Sequence, residues 1–197
     1  MFTGLIHHLG TIQRIQQQGD VRMEIKPDAR DFPLAIGASI ACHGICLTVV
    51  EMLADGAFVA TLSQETLNCT TARLWKNGDR IHLEPSLKVG DEVGGHFVSG
   101  HVDGVTTVVE RKTSGASTVW TFEAPTELAP FIAAKGSVTL NGVSLTVNQT
   151  EGNRFTVNVI PHTADVTCFG DMEVGDRVNL EVDLLARYVA RMIEMRA

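Results

Sequence analysis

Two short peptides, Gly44-Ile45-Cys46-Leu47-Thr48-Val49 and Gly142-Val143-Ser144-Leu145-Thr146-Val147, carry small polar side chains at alternate positions. An extended chain turns successive side chains to opposite faces. Ile45, Leu47 and Val49 therefore share one face and Cys46 and Thr48 the other, while Val143, Leu145 and Val147 oppose Ser144 and Thr146. A strand face that meets only water more often carries Lys, Glu or Arg; paired hydroxyls and a thiol suit a flat molecule laid across them. The alternative is an ordinary strand in which Thr serves β propensity.

Other chemistry is sparser. The stretch Gly94-Gly95-His96-Phe97-Val98-Ser99-Gly100-His101-Val102-Asp103-Gly104 combines glycines, which let backbone approach a ligand, with histidines that titrate near neutrality, and His101 is the candidate acid or base. Lys135, just ahead of the second peptide, could anchor an anionic or hydroxylated ligand. Nothing comparable singles out His7, His8 or His82. No GxSxG elbow, phosphate loop, dinucleotide fingerprint or HExxH occurs. Cys42, His43 and Cys46 lie close together, but no second Cys/His pair supplies the remaining ligands of a zinc site, so no metal is expected.

The elements that position these residues are written twice. The hexapeptides lie 98 residues apart, and Gly78-Asp79-Arg80-Ile81-His82-Leu83-Glu84 returns 97 residues later as Gly175-Asp176-Arg177-Val178-Asn179-Leu180-Glu181. Phe2-Thr3-Gly4 faces Val98-Ser99-Gly100 at an offset of 96, so the register holds with single-residue shifts. Copies of about 90 residues are small domains, not solenoid units. Each reads as six short strands, in the first copy near 11–15, 21–26, 39–42, 45–51, 57–63 and 80–84, with a short helix near 66–71. Asn141-Gly142 supplies the positive φ angles of a tight hairpin; His43-Gly44 should make a more relaxed one. Six strands in so few residues favour a closed Greek-key barrel, which leaves no open edge. After Asp183, a good N-cap, Leu184, Leu185, Tyr188, Val189, Met192 and Ile193 recur at helical spacing. That helix has no counterpart in the first copy, and its apolar stripe calls for self-association. The expected division is 1–96, 97–183 and 184–197, an all-β chain of two tandem six-stranded Greek-key barrels followed by an amphipathic oligomerisation helix.

Composition narrows the partners. The 197 residues are 44% hydrophobic and 20% charged with mean hydropathy +0.10, enough apolar material for packed cores. A net charge of −7 and a pI near 5.4 repel phosphate backbones, so nucleic acid is not expected. No apolar run is long enough to span a membrane and the opening residues lack a leader pattern, so the chain is expected in the cytoplasm with Cys42, Cys46, Cys69 and Cys168 reduced.

The opening Met1-Phe2-Thr3-Gly4-Leu5-Ile6, the paired hexapeptides, the stretch Gly94–Gly104 and Ile160-Pro161-His162-Thr163 together resemble the riboflavin synthase family over the full length; His43 departs from its usual Asn. The resemblance implies two lumazine-binding barrels, a homotrimer built by the C-terminal helix, and a cofactor-free dismutation. Two molecules of 6,7-dimethyl-8-ribityllumazine exchange a four-carbon unit, giving riboflavin and 5-amino-6-(D-ribitylamino)uracil, in a site shared by the N-terminal barrel of one subunit and the C-terminal barrel of a neighbour. It also implies an association with lumazine synthase. Carried over by residue, the first pocket takes Gly4, Leu5, Ile6, Cys46, Leu47, Thr48, Thr61, Leu62, Ser63, Gln64, Glu65 and Thr66. The second takes Gly100, His101, Val102, Lys135, Ser144, Leu145, Thr146, Asn158, Val159, Ile160, Pro161, His162 and Thr163. The roles this implies are proton transfer or nucleophile activation for His101, polarisation of one ring by Ser144 and Thr146 and of the other by Cys46 and Thr48, and packing beside the ring for Phe2. The rival is a non-catalytic antenna protein of the same fold, which binds the chromophore without turning it over.

Overall fold

The computed structural model describes residues 1–196. Strands β1 (His8–Gln18), β2 (Asp20–Pro27), β3 (Ser39–Cys42), β4 (Ile45–Met52), β5 (Phe58–Leu62) and β6 (Arg80–Pro85) close in the order β1-β2-β5-β4-β3-β6. Strands β7 (Gly104–Ser114), β8 (Ser117–Glu123), β9 (Ser137–Leu140), β10 (Val143–Glu151), β11 (Arg154–Val159) and β12 (Arg177–Val182) close in the same cyclic order, β7-β8-β11-β10-β9-β12, and every ladder is antiparallel. The period-two pattern drives this: Val21, Met23 and Ile25 of β2 are buried, as are Phe155, Val157 and Val159 of β11, while Thr156 and Asn158 face away. Burying such a side chain contributes roughly 1.5–3 kcal/mol, and each barrel closes around its own cluster of them. Bulges fall at equivalent points, after Ile12 and Val108 and after Val49 and Val147, adding the local twist that closure needs.

Helix α1 (Gln64–Cys69) begins two residues before the expected segment because Ser63 accepts from the Thr66 N–H at 3.2 Å and caps it. Its counterpart α2 (Pro161–Val166) opens on a proline at its first position. Helix α3 (Leu184–Glu194) is capped by Asp183, whose carboxylate accepts from the Leu185 N–H at 2.9 Å, and Arg187 ties it to Asp103 at 3.0 Å. Beyond this anchor Leu185, Tyr188, Val189, Met192 and Ile193 stand exposed. Ala197, the last residue of the expected helical segment, lies outside the described residues.

The barrels meet turn to turn. Gly44 and Gly142 press backbone on backbone: a Cβ on Gly44 would lie 2.6 Å from the Gly142 nitrogen. The histidine led to the expectation of a relaxed first hairpin; instead His43 (φ 51°) and Gly44 (φ 83°) adopt the conformation of Asn141 (φ 49°) and Gly142 (φ 87°). The contact over-determines the turn. His43 Nδ1 accepts from the His82 N–H at 3.1 Å, as Asn141 Oδ1 accepts from the Asn179 N–H at 2.8 Å. Across the junction Asn179 Nδ2 donates to the His43 carbonyl at 3.0 Å and its Oδ1 accepts from the Thr71 N–H at 2.7 Å. His82 does the same in reverse, giving Nδ1–H to the Asn141 carbonyl at 2.7 Å and taking the Cys168 N–H on Nε2 at 2.8 Å. His43, His82 and Cys168 bring their ligand atoms within 4.8 Å of one another, yet both histidine lone pairs already hold backbone N–H groups, so the trio is a hydrogen-bonded junction and not a metal centre.

Candidate functional site

Strand β4 sets Cys46 and Thr48 on the outer face of the first barrel while Ile45, Leu47 and Val49 enter its core. On β10, Val143 and Val147 are buried, Leu145 packs partly against the core, and Ser144 and Thr146 face outward. The polar pairs read from alternation therefore exist as pairs. Cys42, three residues earlier than Ile45, points into the first core, and burial pushes its thiol up, so it does not converge with Cys46.

The segments that flank these faces are exchanged between the barrels, which corrects the expected grouping. Gly4, Leu5 and Ile6 belong with the second face: the Gly4 carbonyl accepts from the Ser144 N–H at 2.8 Å, and Ile6 is buried in the second core. Gly100, His101 and Val102 belong with the first: the Gly100 carbonyl accepts from the Cys46 N–H at 2.8 Å, and Val102 packs on the first core. Phe2 and Val98 bond to each other reciprocally at 2.8 and 3.1 Å where the segments cross. Gly4 (φ 74°) and Gly100 (φ 75°) leave no room for a side chain, since a Cβ would stand 2.6 Å from the Cβ of Ser144 or Cys46. The corrected first face thus comprises Cys46–Thr48, Thr61–Thr66 and Gly100–Val102; the second comprises Ser144–Thr146, Asn158–Thr163 and Gly4–Ile6. Phe2 is fully buried with Ala41 and Val98, and Cys46 packs on that cluster, so Phe2 supports the first face from beneath.

The remaining neighbours, implied by the family resemblance, flank the ends of β5 and β11 and the starts of α1 and α2. Thr61, Ser63, Gln64 and Glu65 are exposed beside buried Leu62, and Asn158, Ile160, Pro161 and His162 are exposed beside buried Val159, with Thr66 and Thr163 half-buried at the starts of α1 and α2. Lys135 is exposed with φ 68°, its N–H bonded to the Val147 carbonyl at 2.8 Å, at the end of β10 that carries Thr146.

Within a single chain the imidazole of His101, the candidate acid or base, does not reach these groups. The His101 imidazole is exposed and makes no hydrogen bond among the described residues. His96 instead places Nδ1 2.7 Å from Ser144 Oγ and Nε2 3.1 Å from Thr139 Oγ1. Burial lowers the His96 pKa, opposed by the charge of Asp183, so the ring is neutral at pH 7, one nitrogen donating and the other accepting. The first copy lacks this device: the position matching Thr139 is Ala41, and the register that pairs Phe2 with Val98 runs off the chain before reaching a partner for His96. Only the pairing of His96 with the glycines on either side of the crossing signalled it. Clefts of about 610 Å³ between the barrels beside His43, about 700 Å³ beside Leu5 and Leu34, and about 800 Å³ beside Gln149 and Thr156 contain neither polar pair, so the two faces are open surfaces on a single chain.

Two closed barrels with matching flat faces define a duplicated binding protein, and the comparisons give its class. The family described as Lumazine binding domain matches twice, over residues 3–86 and 99–183. The riboflavin synthase of Brucella abortus (strain 2308) is 47% identical with 98% of each chain covered, and that of Mycobacterium tuberculosis (strain CDC 1551 / Oshkosh) is 39% identical, again with 98% of each covered. The crystal structure of LumP complexed with riboflavin superposes with a TM-score of 0.81 at 24% identity, covering 92% of this chain and 99% of LumP, a likeness of fold. The chain belongs to the riboflavin synthase family, each of its halves being a lumazine binding domain.

Proposed function

We propose that the protein converts two molecules of 6,7-dimethyl-8-ribityllumazine into riboflavin and 5-amino-6-(D-ribitylamino)uracil by transfer of a four-carbon unit, using no cofactor. The observation that carries this reading is the pairing of two alike faces with unlike chemistry. A reaction between two copies of one heterocycle needs two similar seats, and each barrel offers one. It also needs the reactants to differ in charge flow, and only the second face has the His96–Ser144–Thr139 chain. Holding both rings in contact supplies much of the acceleration, and neutral His96 accepts the Ser144 proton as that hydroxyl engages the ring. On this reading Cys46 and Thr48 polarise the other ring. His101, on the first face, is free to shuttle a proton with solvent.

The reading includes a trimer in which the first face of one subunit closes over the second face of its neighbour. The faces are open on a single chain, and α3 presents an apolar stripe with 74% of Leu185 and 64% of Tyr188 exposed, which supports assembly through that helix. It also includes a cytoplasmic location, in keeping with four free cysteines; no helix among the described residues is long and apolar enough to cross a membrane. The test is to mix the purified protein with the lumazine and follow flavin absorbance. Turnover beyond one flavin per chain is expected. Stoichiometric binding without flavin would leave the antenna reading standing instead.

A further inference from the structure

The repeated Gly-Asp-Arg heptapeptides end on Glu84 and Glu181, and the lumazine-binding reading gives neither residue a role. Both side chains are buried, at 6% and 2% exposure, and neither makes a salt bridge among the described residues. A buried carboxylate without a cation costs several kcal/mol unless donors surround it. Donors do. Glu84 Oε1 accepts from the Thr3 N–H at 2.7 Å and the Thr3 hydroxyl at 2.8 Å, and Oε2 accepts from the Gly4 N–H at 3.1 Å. Glu181 repeats the arrangement, with Oε1 taking the Ser99 N–H at 2.7 Å and hydroxyl at 2.6 Å, and Oε2 the Gly100 N–H at 2.9 Å.

The segments held in this way are the exchanged ones. Glu84 stands on β6 of the first barrel, but the Gly4 it fixes bonds Ser144 of the second. Glu181 stands on β12 of the second barrel, but its Gly100 bonds Cys46 of the first. Gly4 and Gly100 lie in left-handed backbone against the Cβ atoms of those same residues, so a small shift of either glycine displaces the polar pair beside it. We propose that Glu84 and Glu181 are positioning residues that act crosswise, each setting the lumazine face of the opposite barrel. This rests on the assignment of those faces to lumazine, but the mechanical coupling does not.

Residue-resolved NMR of the full-length chain tests it in two arms. Amide exchange is compared for Cys46 and Ser144 in Glu84→Gln and Glu181→Gln, and each variant is then titrated with 6,7-dimethyl-8-ribityllumazine while Thr48 and Thr146 report the two faces separately. Glutamine exchanges an acceptor for a donor against an N–H, and one charge-assisted bond is worth about tenfold or more. E181Q is expected to speed exchange at Cys46 and weaken binding at the Thr48 face by about tenfold, leaving Ser144 and the Thr146 face within about twofold. E84Q is expected to do the reverse. Thr3→Val and Ser99→Ala, which remove one donor each, give the same crossed pattern at about threefold if the glutamines fail to fold. Effects confined to the variant's own barrel, or equal in both, overturn the proposal. Crossed exchange with no lumazine binding at either face would uphold the coupling and remove the lumazine reading.

Discussion

His96→Gln separates a proton-holding histidine from one that merely fills space. The replacement keeps a polar side chain of similar reach beside Ser144 Oγ, 2.7 Å from the present Nδ1, but removes the titratable lone pair. If His96 only orients Ser144, one neutral hydrogen bond is at stake, about 1 kcal/mol or roughly fivefold in rate. If it takes the Ser144 proton, general acid–base catalysis of about 10²- to 10⁴-fold is lost, with the affinity for lumazine at the second face changed far less. The pH profile adds an independent sign. Activity requires the neutral ring, so it is present above the His96 pKa and lost as pH falls through it. Burial lowers that pKa, so the acid limb of kcat/KM lies below the ordinary histidine value of 6.5. In the glutamine variant this limb disappears. Steady-state flavin formation from pH 4.5 to 8, with lumazine affinity measured in parallel, reads both quantities. A fall in kcat under about fivefold with the acid limb intact would refute the assignment.

The barrel junction is expected to be acid-sensitive on one side only. Burial holds His82 down at about 4 and His43 well below its usual value, so the folded state prefers both neutral. Unfolded histidines take up protons from 6.5 downward, so stability falls as pH drops below 6.5, the His82 part levelling near 4 after a loss on the order of 3 kcal/mol. Thermal melts followed by Trp75, whose ring lies 6.0 Å from His43, should show this loss, and the double variant H43N/H82N, which copies the Asn141–Asn179 half, should not; equal slopes would refute it. Deleting residues after Asp183 should reduce the proposed trimer to monomers in sedimentation, since the exposed stripe of α3 goes with them. An unchanged mass would show that the barrels assemble without the helix.

Much of the molecule was legible in its residues because the information is local and periodic. Alternation in β4 and β10 fixed which side chains enter the cores, hence that Cys46 sits with Thr48 and Ser144 with Thr146. The Asn141-Gly142 turn, the Asp183 cap and the spacing of Leu185, Tyr188 and Met192 each depend on neighbours a few positions away. The His43 turn was misjudged because its φ is imposed by Gly142 of the other barrel, far away in sequence.

Duplication determined that there would be two faces of the same shape, since a repeated hydrophobic pattern closes the same barrel twice. Which barrel each flanking segment would serve was decided only in the tertiary structure. Thr3–Ile6 and Ser99–Val102 are nearly interchangeable extended segments hinged at glycines, and their alternation is satisfied equally well on either barrel. The choice comes from long-range terms: Ile6 filling the second core, Val102 packing on the first, and the Gly4 and Gly100 carbonyls accepting from the Ser144 and Cys46 N–H groups of the opposite barrels. The same crossing carries His96 to Ser144, so the polar chain that makes the two faces unequal is a product of packing and not of spacing.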